Sequence, residues 1–167
     1  NMVGQHVSGG IFAPAISYNP HNKTYYMITT NVGAGNFYVK TQDPFGEWSD
    51  PIRVPEVGGI DPSIFFDEDG KAYVVNNDEA PDFKAEYDGH RTIRVQEFDW
   101  KNDKMVGPRK IIVNKGVHPE EKPIWIEGPH MYKINGKYYL MDAEGGTSVN
   151  HSEVIFRSDS PWGPFKA

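Results

Sequence analysis

The sequence predicts an all-β fold built from repeated units of four short antiparallel strands, and three observations lead there. Nine Tyr, nine Phe and four Trp in 167 residues favour strands. Seventeen Gly and thirteen Pro interrupt the chain too often for long helices, and no window keeps a helical period. One hairpin plan recurs three times along the chain.

Its first copy runs from Ala13-Pro14-Ala15-Ile16-Ser17-Tyr18 through the turn formers Asn19-Pro20-His21-Asn22-Lys23 into Thr24-Tyr25-Tyr26-Met27-Ile28-Thr29. The second leads from Asp61-Pro62-Ser63-Ile64-Phe65-Phe66 through Asp67-Glu68-Asp69-Gly70 into Lys71-Ala72-Tyr73-Val74-Val75. In the third, Glu127-Gly128-Pro129-His130-Met131-Tyr132-Lys133 turns at Asn135-Gly136, a favoured two-residue hairpin pair, and returns as Lys137-Tyr138-Tyr139-Leu140-Met141. A second half also repeats. Asn36–Lys40 precedes Asp43-Pro44-Phe45-Gly46-Glu47-Trp48, Thr92–Asp99 precedes Gly107-Pro108-Arg109-Lys110, and Glu153–Ser158 precedes Ser160-Pro161-Trp162-Gly163-Pro164-Phe165.

Units of this size and content predict β-propeller blades, at about residues 9–55, 56–115 and 123–167 of one partial domain spanning 1–167. Known propellers need at least about four blades, so three predict part of a longer ring whose unpaired edges favour self-association. Residues 76–91, rich in Asp and Glu, read as an inserted polar loop that borders a pocket or is a solvated excursion.

The formal net charge of −6, with no basic run, argues against nucleic acid and anionic membranes as partners. Without cysteine there is no disulfide, thiolate metal site or cysteine nucleophile. No apolar run is long enough to span a bilayer. The sequons at Asn22 and Asn150 are too short a pattern to weigh.

Two acids stand out. Glu127 follows Pro123-Ile124-Trp125-Ile126, and apolar neighbours favour a carboxyl that keeps its proton near neutral pH and can donate it; the same residue also reads as a rim glutamate. Blade symmetry places Pro14, Pro62 and Pro129 at one end of a central channel, so Asp61 and Glu127 are expected at nearly equivalent positions facing one axial pocket. Two carboxyls in different surroundings are what proton transfer to a glycosidic bond requires. The alternative for Asp61 is a turn cap at a strand start.

Four segments resemble glycoside hydrolase family 43, the five-bladed propellers that include β-xylosidases and α-L-arabinofuranosidases. They are Ser8-Gly9-Gly10-Ile11-Phe12-Ala13-Pro14, Gly59–Lys71, Glu127–Lys133 and Ala143-Glu144-Gly145-Gly146-Thr147. The resemblance implies an inverting mechanism. Glu127 matches the general acid, and Asp61 matches the aspartate that orients it and raises its pKa. The general-base aspartate belongs to the family's first blade and has no counterpart here, so the chain corresponds to the second to fourth blades and is expected to turn over little by itself. Asp43 and Asp50 follow outer strands and are misplaced for the base.

For substrate contact the resemblance points to Phe12, where the family commonly has tryptophan, and to Ala13, Ile60 and Thr147. Glu144 and His130 are expected to hold the acid's loop. It implies xylo- or arabino-oligosaccharide as partner and favours a secreted or periplasmic protein, with the compartment left open. No cofactor is expected in this chain. The family's axial calcium or water site relies on a histidine of the last blade, so no metal is assigned to any of the six histidines. A second function, from another class, is a propeller that binds carbohydrate or protein without catalysis.

Overall fold

Strands β1 (Ile11–Asn19), β2 (Thr24–Asn31), β3 (Gly35–Thr41) and the two-residue β4 (Ile52–Arg53) form the first of three antiparallel sheets in the computed structural model, which describes residues 9–167. The second is β5 (Ile60–Phe66), β6 (Ala72–Glu79), β7 (Arg91–Asp99) and β8 (Lys104–Asn114), in that order. The third is β9 (Glu127–Ile134), β10 (Lys137–Glu144) and β11 (Ser152–Ser158). Among the described residues, helix is limited to short 3₁₀ turns such as Pro81–Phe83 and Pro119–Glu121. The chain is all-β, as predicted, with Ser8 of the first family-like segment lying outside the described residues.

The middle sheet is buried on both faces. Residues 72–78 of β6 are all buried, which is why Ala72-Tyr73-Val74-Val75 is a continuous rather than alternating apolar run. Val74 faces a core with Tyr26, Ile28, Tyr38, Val54, Ile64 and Phe98, whereas Tyr73 and Val75 face one with Ile93, Val95, Ile126, Met131, Leu140 and Phe156. In the first core the rings of Tyr26, Tyr38 and Phe98 meet at centroid distances of 5.4–6.2 Å, two of the three pairs edge to face, a favoured aromatic geometry.

The opening strands of the sheets are joined by hydroxyls: Ser17 Oγ on β1 donates to Ile64 O at 2.6 Å, and Ser63 Oγ on β5 to Pro129 O at 2.5 Å. Farther along, buried Asp67 accepts hydrogen bonds from Lys133 Nζ at 2.7 Å, Tyr138 Oη at 2.6 Å and Glu68 N at 2.7 Å. That carboxylate ties the second hairpin to the third.

Several expectations are corrected. The polar stretch 76–91 is not all loop: β6 continues through Glu79 and β7 starts at Arg91. Asn76, Asn77 and Asp78 are buried, and their polarity serves internal hydrogen bonds instead of water. Gly107-Pro108 lies within β8, where the pairing with β7 shifts register, and not beyond the sheet. The third unit has three strands, with a single bridge between Arg157 and Lys166 in place of a fourth.

Candidate active site

Every opening strand breaks register at its proline. The pairing of β1 with β2 shifts between Phe12 and Ala15, that of β5 with β6 between Ile60 and Ser63, and that of β9 with β10 opposite Met141 and Ala143. In all three the residue before proline has positive φ: Ala13 at 34°, Asp61 at 52° and Gly128 at 60°. A bulge re-aims the side chains beside it. The expected near-equivalence of the two acids is a one-residue offset: Asp61 corresponds to Ala13 and Gly128, whereas Glu127 corresponds to Phe12 and Ile60. The one-residue offset lets the acids approach from adjacent strands without competing for one position.

Their coupling is electrostatic. The backbone N–H of Gly128, next to Glu127, lies near the Asp61 carboxylate and favours its charged form. Burial pushes the Asp61 carboxyl above the ordinary aspartate range, and the Gly128 hydrogen bond and the charge of Arg91 pull it back. Burial also raises Glu127, the nearby Asp61 charge adds to the rise, and His151 and Arg91 oppose it. Both carboxyls therefore hold a proton more readily than in water, and at Glu127 the charge of Asp61 adds to that tendency.

The segment before the acid is held residue by residue. Pro123 O accepts from Tyr87 Oη at 2.7 Å, and Ile124 O from Gly145 N at 2.9 Å. Trp125 N donates to Gly89 O at 2.8 Å, and Ile126 O accepts from Asn77 Nδ2 at 2.5 Å. Trp125 takes a left-handed φ of 52°, a strained conformation for an aromatic residue that its neighbours sustain. The 80–90 loop therefore buttresses the acid's approach.

The other residues singled out in the sequence are spread around this centre. Phe12 is half-buried, and its carbonyl accepts Thr29 Oγ1 at 2.5 Å; Ala13 is exposed and Ile60 half-buried opposite Asn77. Thr147 is exposed in the β10–β11 loop, where the neighbouring Gly146 approaches Ile124 and Trp125. Glu144 Oε2 accepts from Val117 N at 3.1 Å, holding the loop that leads to the acid. His130 is exposed on β9 opposite Met141, and feels Glu153. Asp43 is exposed, capping Phe45 N at 3.0 Å, and Asp50 is exposed beyond β3.

Sequence reading missed Asn77, Arg91 and His151. Asn77 and Arg91 were concealed in what looked like a solvated loop; the usable signal was an Asn pair directly continuing the apolar run Val74-Val75. Among the described residues no group of three or more His, Asp or Glu could hold a metal ion.

Residues 1–167 match the model of Glycosyl hydrolases family 43, and the chain belongs to that family. It is 48% identical to a xylosidase/arabinosidase of Butyrivibrio fibrisolvens over 91% of this chain and 29% of that protein. To a non-reducing end alpha-L-arabinofuranosidase of Bacteroides ovatus it is 40% identical, over 95% and 27% of the respective chains. Among solved structures, a GH43_12 protein retrieved from a capybara gut metagenome superposes with a TM-score of 0.91 at 54% identity, covering 96% of this chain and 30% of that one. The xylan beta-1,4-xylosidase of Bacillus halodurans gives 0.83 at 36% identity over 99% and 31%. The chain thus spans about 30% of the length of these relatives.

Proposed function

We propose that this chain is the central part of a longer glycosidase that removes terminal or side-chain xylose or arabinofuranose from plant polysaccharides or their oligomers by inversion. It would supply three blades of a five-bladed propeller, at about residues 9–55, 56–115 and 123–167. Glu127 is the general acid that protonates the leaving oxygen. Asp61 orients the acid's strand through Gly128 and raises the acid's pKa. The general base and the other pocket walls come from the rest of the parent protein, with the two working carboxyls about 6.5–9.5 Å apart around a water, as inversion requires. Phe12, Ala13, Ile60 and Thr147 line the sugar site.

The observation that supports this reading best is that Asp61 and the half-buried Glu127 stand at the register breaks of two opening strands that pack together, near enough for the charge of Asp61 to favour the proton on Glu127. A binding-only propeller has no use for that coupling. The test compares the parent protein with residues 1–167 alone on aryl xyloside and aryl arabinofuranoside, with calorimetric titration of xylo- and arabino-oligosaccharides in parallel. Turnover by the parent and negligible turnover by the isolated chain is expected. Oligosaccharide binding by the parent without hydrolysis would establish the binding module instead, and turnover by residues 1–167 alone would remove the missing base from the mechanism.

A further inference from the structure

Arg91 is a buried cation beside the acid pair, and its bonds form a chain that ends on the residue immediately before the acid. Its Nε and Nη2 donate to Asn77 Oδ1 at 3.1 and 2.8 Å, and its Nη1 pairs with Glu79 Oε1 at 2.5 Å. Its guanidinium lies 4.8 Å from the centroid of the Trp125 ring. Because both Arg donors occupy the amide oxygen, the Asn77 amide must turn its nitrogen the other way, where it donates to Ile126 O at 2.5 Å. Asn77 also pairs with Ile60 across β5 and β6, beside Asp61. Ile126, immediately before Glu127, is therefore gripped from the middle sheet by Asn77, and Gly128, immediately after it, lies near the Asp61 carboxylate.

We infer that Arg91 and Asn77 are positioning residues for the reaction, a strut that fixes the 125–127 segment and thereby the reach of Glu127 to the leaving oxygen. The inference rests on the reading of Glu127 as the acid. Neither residue touches substrate; both act through the backbone they hold. Arginine is required because only its planar fork satisfies one oxygen with two donors while its face stays on Trp125. Lysine keeps the charge and loses the fork. The charged groups facing this cluster are Asp61 on β5, Glu79 on β6, Glu127 on β9, and His151, which acts on Glu127 from the β10–β11 loop. His90, adjacent to Arg91, is occupied by Asn114 at 2.7 Å.

The experiment uses the parent protein with Arg91→Lys, Arg91→Met and Asn77→Ala, each assayed on substrates with poor and good leaving groups and normalised to folded protein by circular dichroism. A displaced acid should lower kcat on the poor leaving group about 10- to 100-fold, the scale on which a small misplacement of a catalytic group is felt, and change the good one by less than about threefold. Arg91→Met should also move the alkaline limb of kcat/KM to higher pH, since it removes the cation that stabilises ionised Glu127; Arg91→Lys should leave the limb in place. The Asn77→Ala, Arg91→Met double variant should lose little more than the worse single one, because the two act as one unit. Equal loss on both substrates, or no loss, in Arg91→Lys and Asn77→Ala overturns the strut, provided Glu127→Ala retains its leaving-group dependence. If Glu127→Ala shows none, the acid assignment fails and the strut's catalytic purpose falls with it.

Discussion

Asp67 and Asp142 are carboxylates shut away from water, 1% and 0% exposed, and the structure treats them in opposite ways. Burial alone would raise the Asp67 carboxyl, but the hydrogen bonds of Lys133, Tyr138 and Glu68 hold it below the ordinary range. Asp142 has no hydrogen-bond partner for either oxygen among the described residues, and burial with the charges of Glu153 and Glu144 pushes it well above the ordinary range. Asp142 is therefore neutral in the folded protein over a range in which the unfolded chain ionises it. Its effect on stability is absent below the unfolded value of about 3.9 and becomes a growing penalty of about 1.4 kcal/mol per pH unit until its folded value is reached. Urea unfolding should show the wild-type protein losing stability from pH 5 upward by more than Asp142→Asn does; identical pH slopes would contradict it. At the active centre the same reasoning fixes a second sign. Asp61→Asn removes the like charge that raises Glu127, so the alkaline limb of kcat/KM in the parent protein should move to lower pH, opposite to Arg91→Met.

Between strands, the hairpin braces matter more than strand propensity. Asp67 joins the β5–β6 turn to β9 and β10 through Lys133 and Tyr138, so Asp67→Asn leaves Lys133 with the 3.6 Å pair to exposed Glu68 and takes the carboxylate from Tyr138 Oη. The loss of these hydrogen bonds should cost about 1–3 kcal/mol in urea unfolding near pH 7. The contribution is present above pH 4 and lost in wild type as pH falls through the depressed value of Asp67, so the variant and wild type should converge in acid. The bulge beside Asp61 has its own requirement. Gly59 has a φ of +67°, and a Cβ there would lie 1.9 Å from Asn77 O. Gly59→Ala should push the two strands apart where Asp61 and Asn77 grip the acid's segment, costing a few kcal/mol and lowering activity on poor leaving groups first.

Across the whole molecule, the hairpins and their order were legible because turn formers such as Asn135-Gly136 and the runs of Tyr, Phe and Val obey local rules. The two candidate acids were picked out through the prolines that follow them. What stayed hidden was of two kinds. The bulges break register beside each proline, and nothing in Asp61-Pro62 or Gly128-Pro129 announces a positive φ. Buried polar residues such as Asn77 and Arg91 look like surface until their partners, distant in sequence, are in view. The outer faces carry another consequence. Ile16 and Tyr18 on β1, Tyr132 and Ile134 on β9 and Ile155 on β11 are exposed apolar side chains, and residues 1–167 alone should associate in sedimentation velocity at micromolar concentration while the parent protein does not.

The central claim is that Glu127 donates the proton to the leaving oxygen, and the measurement that bears on it most directly is the leaving-group dependence of Glu127→Ala in the parent protein. Cleavage of natural oligosaccharides should fall about 10²- to 10⁴-fold, while an aryl glycoside whose phenolate departs unaided should lose far less. Equal loss on both substrates would contradict the assignment and leave Glu127 a structural carboxylate at the start of β9.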